Sequence, residues 1–65
     1  MAGAIAEFEN TVQLKPDLVE AQRNLANALV QQGRLGDAIS HLDQAISITH
    51  DAGLTRMVAD LRSRQ

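Results

Sequence analysis

Among the residues whose types could support catalysis or metal binding, His41, His50, Ser40, Ser47, Asp37, Asp43 and Asp51 fall close together in the second half of the chain. Asp37 and His41 stand four apart, on one face of a helix, with Asp43 nearby. Two such ligands would leave half of a tetrahedral metal shell empty, so a surface pair giving a weak helix contact is the expected role. Ser40 and His41 are adjacent, which on a helix points their side chains about 100° apart. No base is thereby aimed at a nucleophile. Gly33 and Gly36 lack the Lys-Ser/Thr ending of a phosphate-binding loop. His50 beside Asp51 reads as turn and cap chemistry. Arg56, Arg62 and Arg64 complement the carbonyl end of a terminal helix. No catalytic, cofactor-binding or metal-ligating set is therefore expected, and the chain reads as non-enzymatic.

A second pattern suits binding. Glu20, Arg23, Asn24, Asn27, Val30 and Gln31 recur at spacings of three, one, three, three and one, which gathers them on a single helical stripe. Amide side chains donate to and accept from an extended peptide backbone, and a guanidinium grips a carboxylate through two hydrogen bonds. The plainer reading of the same stripe is the water-facing side of an amphipathic helix.

The elements that must hold this stripe begin at Pro16. Proline holds Lys15 extended, so a preceding helix should end there. Asp17 is placed as N-cap, with Glu20 as the second half of a capping box. Apolar residues follow at Leu18, Ala21, Leu25, Ala28 and Leu29, the spacing of one buried helix face. Gly33 is suited to a left-handed C-cap. The pattern resumes at Leu35, Ala38, Ile39, Leu42, Ala45, Ile46 and Ile48. So short a connection folds the two helices into an antiparallel hairpin. Upstream, Ala4, Ile5, Phe8 and Val12 mark another helix. Downstream, Leu54, Met57, Val58 and Leu61 mark a fourth, opened by Asp51 as cap.

Composition narrows the function classes. Sixty-five residues allow one small domain, and the formal charge of −2 offers no general attraction for nucleic acid or an anionic membrane. Phe8 stands alone, with no Trp or Tyr, which leaves almost nothing for base stacking. There is no cysteine, hence no disulfide framework or thiolate metal site. No apolar run approaches the roughly 20 residues of a membrane helix. With no basic-then-apolar leader either, a soluble, cytoplasmic setting is favoured, though the sequence fixes no compartment.

The segment from Ala4 to Asp17 matches the segment from Ala38 to Asp51, thirty-four residues on: Ile5 with Ile39, Phe8 with Leu42, Val12 with Ile46, Leu14 with Ile48. That period is the mark of stacked helix pairs. Asn24-Leu25-Ala26, Gly33, Ala38-Ile39, Leu42 and Ala45 together resemble the tetratricopeptide repeat, and the wording NLANALVQQG is similar to the repeats of O-linked N-acetylglucosamine transferase and of bacterial relatives. Gln22, Leu29 and His50 depart from the family's large aromatic, Tyr and Pro.

The resemblance implies an all-α, right-handed stack of antiparallel helices, about one and a half repeats long. Residues 4–15 would be helix B of a partial repeat, 17–48 one full repeat, and 53–64 a capping helix. Aligning that cap as another helix A needs about a two-residue slip. It further implies a scaffold that binds protein or peptide on its concave face, through Glu20, Arg23, Asn24, Asn27 and Gln31. Arg23 and Asn27 match the basic residue and asparagine of carboxylate-clamp repeats, and Asn24 the asparagine ladder of the glycosyltransferase. With the first helix A missing, the segment is expected to come from a longer array. A second copy is another cover for the gap, with self-association through Ile5, Phe8, Val12, Leu54, Met57 and Leu61. A third reading makes the repeats an appendage of an enzyme such as a glycosyltransferase.

Overall fold

The computed structural model describes residues 2–65, and for Ala2 and Ala4 the backbone alone. It contains four helices: α1 (Ala2–Leu14), α2 (Val19–Gln31), α3 (Leu35–Thr49) and α4 (Ala52–Arg62). Each packs mainly on its neighbour in sequence, α1 on α2, α2 on α3 and α3 on α4. The all-α repeat architecture expected from the sequence is the one observed.

Local chemistry sets the three connections. Between α1 and α2, Pro16 supplies no backbone N–H, and the Leu18 N–H closes a turn on the Lys15 carbonyl at 3.1 Å. This turn moves the start of α2 one residue later than expected. Leu18, extended at φ −82° and ψ 98°, is the N-cap and brings no side-chain bond. Asp17 is thereby out of register with the free N–H groups, and Glu20 falls one position short of where a capping box needs it. The anticipated Asp17–Glu20 box does not form.

The α2–α3 turn follows expectation. Gly33 takes φ +76°, the Arg34 N–H reaches the Leu29 carbonyl at 2.9 Å, and the Gly33 N–H reaches Val30 at the same distance. These two bonds make a Schellman motif, which a residue with a Cβ adopts only under strain.

The α3–α4 connection has two residues. His50 is left-handed at φ 54° and its N–H bonds the Ile46 carbonyl at 2.8 Å. Asp51 is extended and its Oδ2 accepts from the Leu54 N–H at 3.0 Å, capping α4 as the sequence suggests. Without a proline here, α4 starts thirty-three residues after α2, so the slip from the repeat period is one residue and not two.

The core is a continuous set of apolar side chains: Ala21, Leu25, Ala26 and Leu29 of α2, Ala38, Ile39, Leu42 and Ala45 of α3, with Ile5 and Val12 from one side and Leu54, Val58 and Leu61 from the other. Three residues of the apolar pattern lie outside it. Leu14 is 81% exposed, Leu18 44% and Ile48 50%. All three sit at helix ends, where the chain has run past its neighbour. Val30, assigned to the water-facing stripe, instead packs in part against the core.

Because α2 has neighbours on both flanks and α4 on one, they bury different arcs. In the register of their first residues, Leu54, Val58 and Leu61 take the places of Ala21, Leu25 and Ala28. The counterparts of buried Gln22, Ala26 and Leu29 are Thr55, Ala59 and Arg62, all exposed.

Candidate functional site

The face of α2 turned from the core carries Glu20, Arg23, Asn24, Asn27 and Gln31, and all five are exposed. The helix that holds them is fixed from behind by Leu25 and Leu29, both with no exposed surface. Among the described residues, none of the five makes a side-chain hydrogen bond or ion pair. Their donors and acceptors are therefore open to a ligand at no cost in internal bonds.

One of them leans toward the next helix. Nη2 of Arg23 lies 3.3 Å from the point where a Cβ on Gly53 would stand, so the guanidinium rests against the first turn of α4. Asp51 Oδ2 is 2.9 Å from the same point. Glycine at this position leaves room for both groups. Arg23 thus reaches from the α2 stripe to the start of α4, a contact that the spacing on α2 alone does not reveal.

The remaining α2 amide is used differently. Gln22, 5% exposed, donates from Nε2 to the Pro16 carbonyl at 3.0 Å. A polar side chain occupies a core position because the preceding turn offers it an acceptor, and no buried side-chain polar atom among the described residues is left without a partner.

The other candidates disperse. Asp37 pairs with Arg34 at 2.8 Å, so its partner is that arginine in place of His41. Asp43 bonds Arg62 across the α3–α4 seam at 2.9 Å, and Arg64 bonds Asp60 at 2.9 Å. The two outer C-terminal arginines, expected to complement a helix end, thus have carboxylate partners as well. Arg62–Asp43 joins residues nineteen apart, which no local pattern signals. Among the described residues, no group of three or more His, Cys, Asp or Glu comes together, and no enclosed pocket forms. No helix among them is long and apolar enough to cross a membrane.

The six residues assigned to self-association belong to the chain's own core. Ile5, Val12, Leu54 and Leu61 are buried within it, and Phe8 and Met57 pack partly against it. Phe8 and Met57 keep part of their surface exposed, whereas Ile5, Val12, Leu54 and Leu61 would have to be uncovered before a second copy could touch them.

The family model for the tetratricopeptide repeat matches residues 1–62. The chain belongs to the tetratricopeptide repeat family. No curated protein and no solved structure gives a significant match. As a tetratricopeptide repeat, the chain falls in a class of protein-interaction modules that are typically non-catalytic. The open, polar α2 face is in keeping with that class, since extended partners are bound on surfaces and not in enclosed pockets.

Proposed function

We propose that this tetratricopeptide repeat segment binds an extended peptide across the stripe Glu20, Arg23, Asn24, Asn27 and Gln31, as a non-enzymatic scaffold. The observation that carries the reading is that five polar side chains on a helix fixed from behind have no internal partner. In this reading α4 acts as a cap, its outer flank of Thr55, Ala59 and Arg62 being exposed, with alanine the one apolar side chain among them.

The test is a fluorescence screen of short unstructured peptides against the wild-type chain and an Arg23→Ala/Asn27→Ala variant. Both substitutions lie on the exposed face, so helicity by circular dichroism should not change. Affinity for the selected peptides should fall about tenfold or more, the cost of losing one charge-assisted and one neutral hydrogen bond. Equal binding by both chains would remove the α2 stripe from the function.

Self-association has less behind it, because Ile5, Phe8, Val12, Leu54, Met57 and Leu61 are engaged internally. Light scattering over a dilution series should return the 7.0 kDa of one chain throughout.

A further inference from the structure

We infer that Gly53 of α4 is a positioning residue for the α2 surface. The space where its side chain would stand, with the Asp51 carboxylate beside it, holds the Arg23 guanidinium in the pose that a ligand meets. The inference rests on the peptide reading above and adds to it the part of α4 that prepares the site.

The glycines of this chain differ in what surrounds them. A Cβ on Gly3, Gly33 or Gly36 would meet nothing within 4 Å, whereas one on Gly53 would stand 3.3 Å from Arg23 Nη2 and 2.9 Å from Asp51 Oδ2. Gly33 is explained by its positive φ, which Gly53 does not share. Gly53 is the second residue of α4, and within a helix alanine is favoured over glycine. Local conformation therefore does not ask for glycine at this position. The two side chains that fill the space do.

Those two side chains are not equally free. Asp51 Oδ2 accepts from the Leu54 N–H at 3.0 Å, so the carboxylate stays where the cap needs it. Arg23 reaches the same point from α2 on a long, exposed side chain, without closing a direct ion pair. Opposite charge draws the guanidinium toward α4, and the missing Cβ lets it come that close. Held there, Arg23 loses less rotamer freedom when a ligand binds than an unrestrained side chain of the same length. A methyl group at position 53 would take the space, and the arginine, which has no bond to hold it, is the side that yields.

The first measurement is the nitrogen-15 heteronuclear NOE of Arg23 Nε in the free chain, which reports side-chain order on the picosecond to nanosecond scale. It should fall in Gly53→Ala, and also in Asp51→Asn, which keeps the cap acceptor and removes the charge. Fluorescence anisotropy with the short unstructured peptides of the screen above then closes a double-mutant cycle. Gly53→Ala should weaken binding about threefold to tenfold in the wild-type background and not at all in Arg23→Ala. Circular dichroism confirms that each variant is folded. An Arg23 NOE that Gly53→Ala leaves unchanged overturns the inference. So does an equal loss from Gly53→Ala with and without the Arg23 side chain, which would place the effect in the shape of α4. If none of the peptides binds the wild-type chain, the peptide reading falls, and the NOE by itself decides whether the notch holds Arg23.

Discussion

His50 and Asp51 turn the chain through the α3–α4 corner in two residues by dividing the task. His50 accepts the left-handed conformation that ends α3, and Asp51 stays extended and caps α4. Thr49 braces the pair, its Oγ1 donating to the Ala45 carbonyl and accepting from the Asp51 N–H. An Asp51→Ala chain loses the bond to Leu54, and its stability should fall by about 1 kcal/mol, read from the urea midpoint. An unchanged midpoint would mean that water caps α4 equally well. The cap was legible in the sequence because an aspartate before a new apolar period is a local signal. The failure at Asp17 was not. Whether an acidic residue caps depends on where the turn before it closes, and here the Leu18–Lys15 bond decides that.

At the scale of elements, the question is what holds α4 to α3. An exposed ion pair, Arg62–Asp43, spans the seam, with the two side chains 58% and 47% exposed. Beneath it Leu54, Val58 and Leu61 are buried. Exposed pairs contribute about 0.2–1 kcal/mol, since water screens them and ordering two long side chains offsets the gain. A buried leucine cut to alanine costs about 2–5 kcal/mol. Arg62→Ala should therefore leave amide-exchange protection of α4 nearly intact, whereas Leu54→Ala should abolish it first in α4. Equal loss in both would show that the seam is electrostatic. Period and spacing predicted that α4 has an apolar face. The sequence also marks Thr55, Arg56, Asp60, Arg62 and Arg64 on its other faces, but which flank stays exposed follows from α4 having one packed neighbour where α2 has two.

For the whole molecule, size governs the outcome. A chain this short has about 3–5 kcal/mol of net stability from its core, and α2 stands at the centre of the stack with helices on both sides. Leu25→Ala should consume most of that margin and leave little helix by circular dichroism at 25 °C. Leu14→Ala, at a residue 81% exposed, should shift stability by less than about 0.5 kcal/mol. The contrast is sharp because the two side chains are chemically identical and differ in burial. If Leu14→Ala proved as damaging as Leu25→Ala, the end of α1 would be packed more closely than the structure shows.

What the sequence determined by itself is whatever depends on neighbours along the chain. The apolar spacing gave four helices, Gly33 gave the left-handed turn, Asp51 gave a cap, and the thirty-four-residue match gave the repeat. It also gave the polar stripe of α2, since helical phase follows from spacing alone. Tertiary structure decided what depends on neighbours in space. It buried Gln22 because the Pro16 carbonyl lay within reach. It exposed Leu14, Leu18 and Ile48 because no helix covers them. It drew Asp43 to Arg62 across a seam, and it set Arg23 of α2 against Gly53 of α4. Spacing fixes the direction of a side chain about its own helix axis, and only packing fixes what stands in that direction.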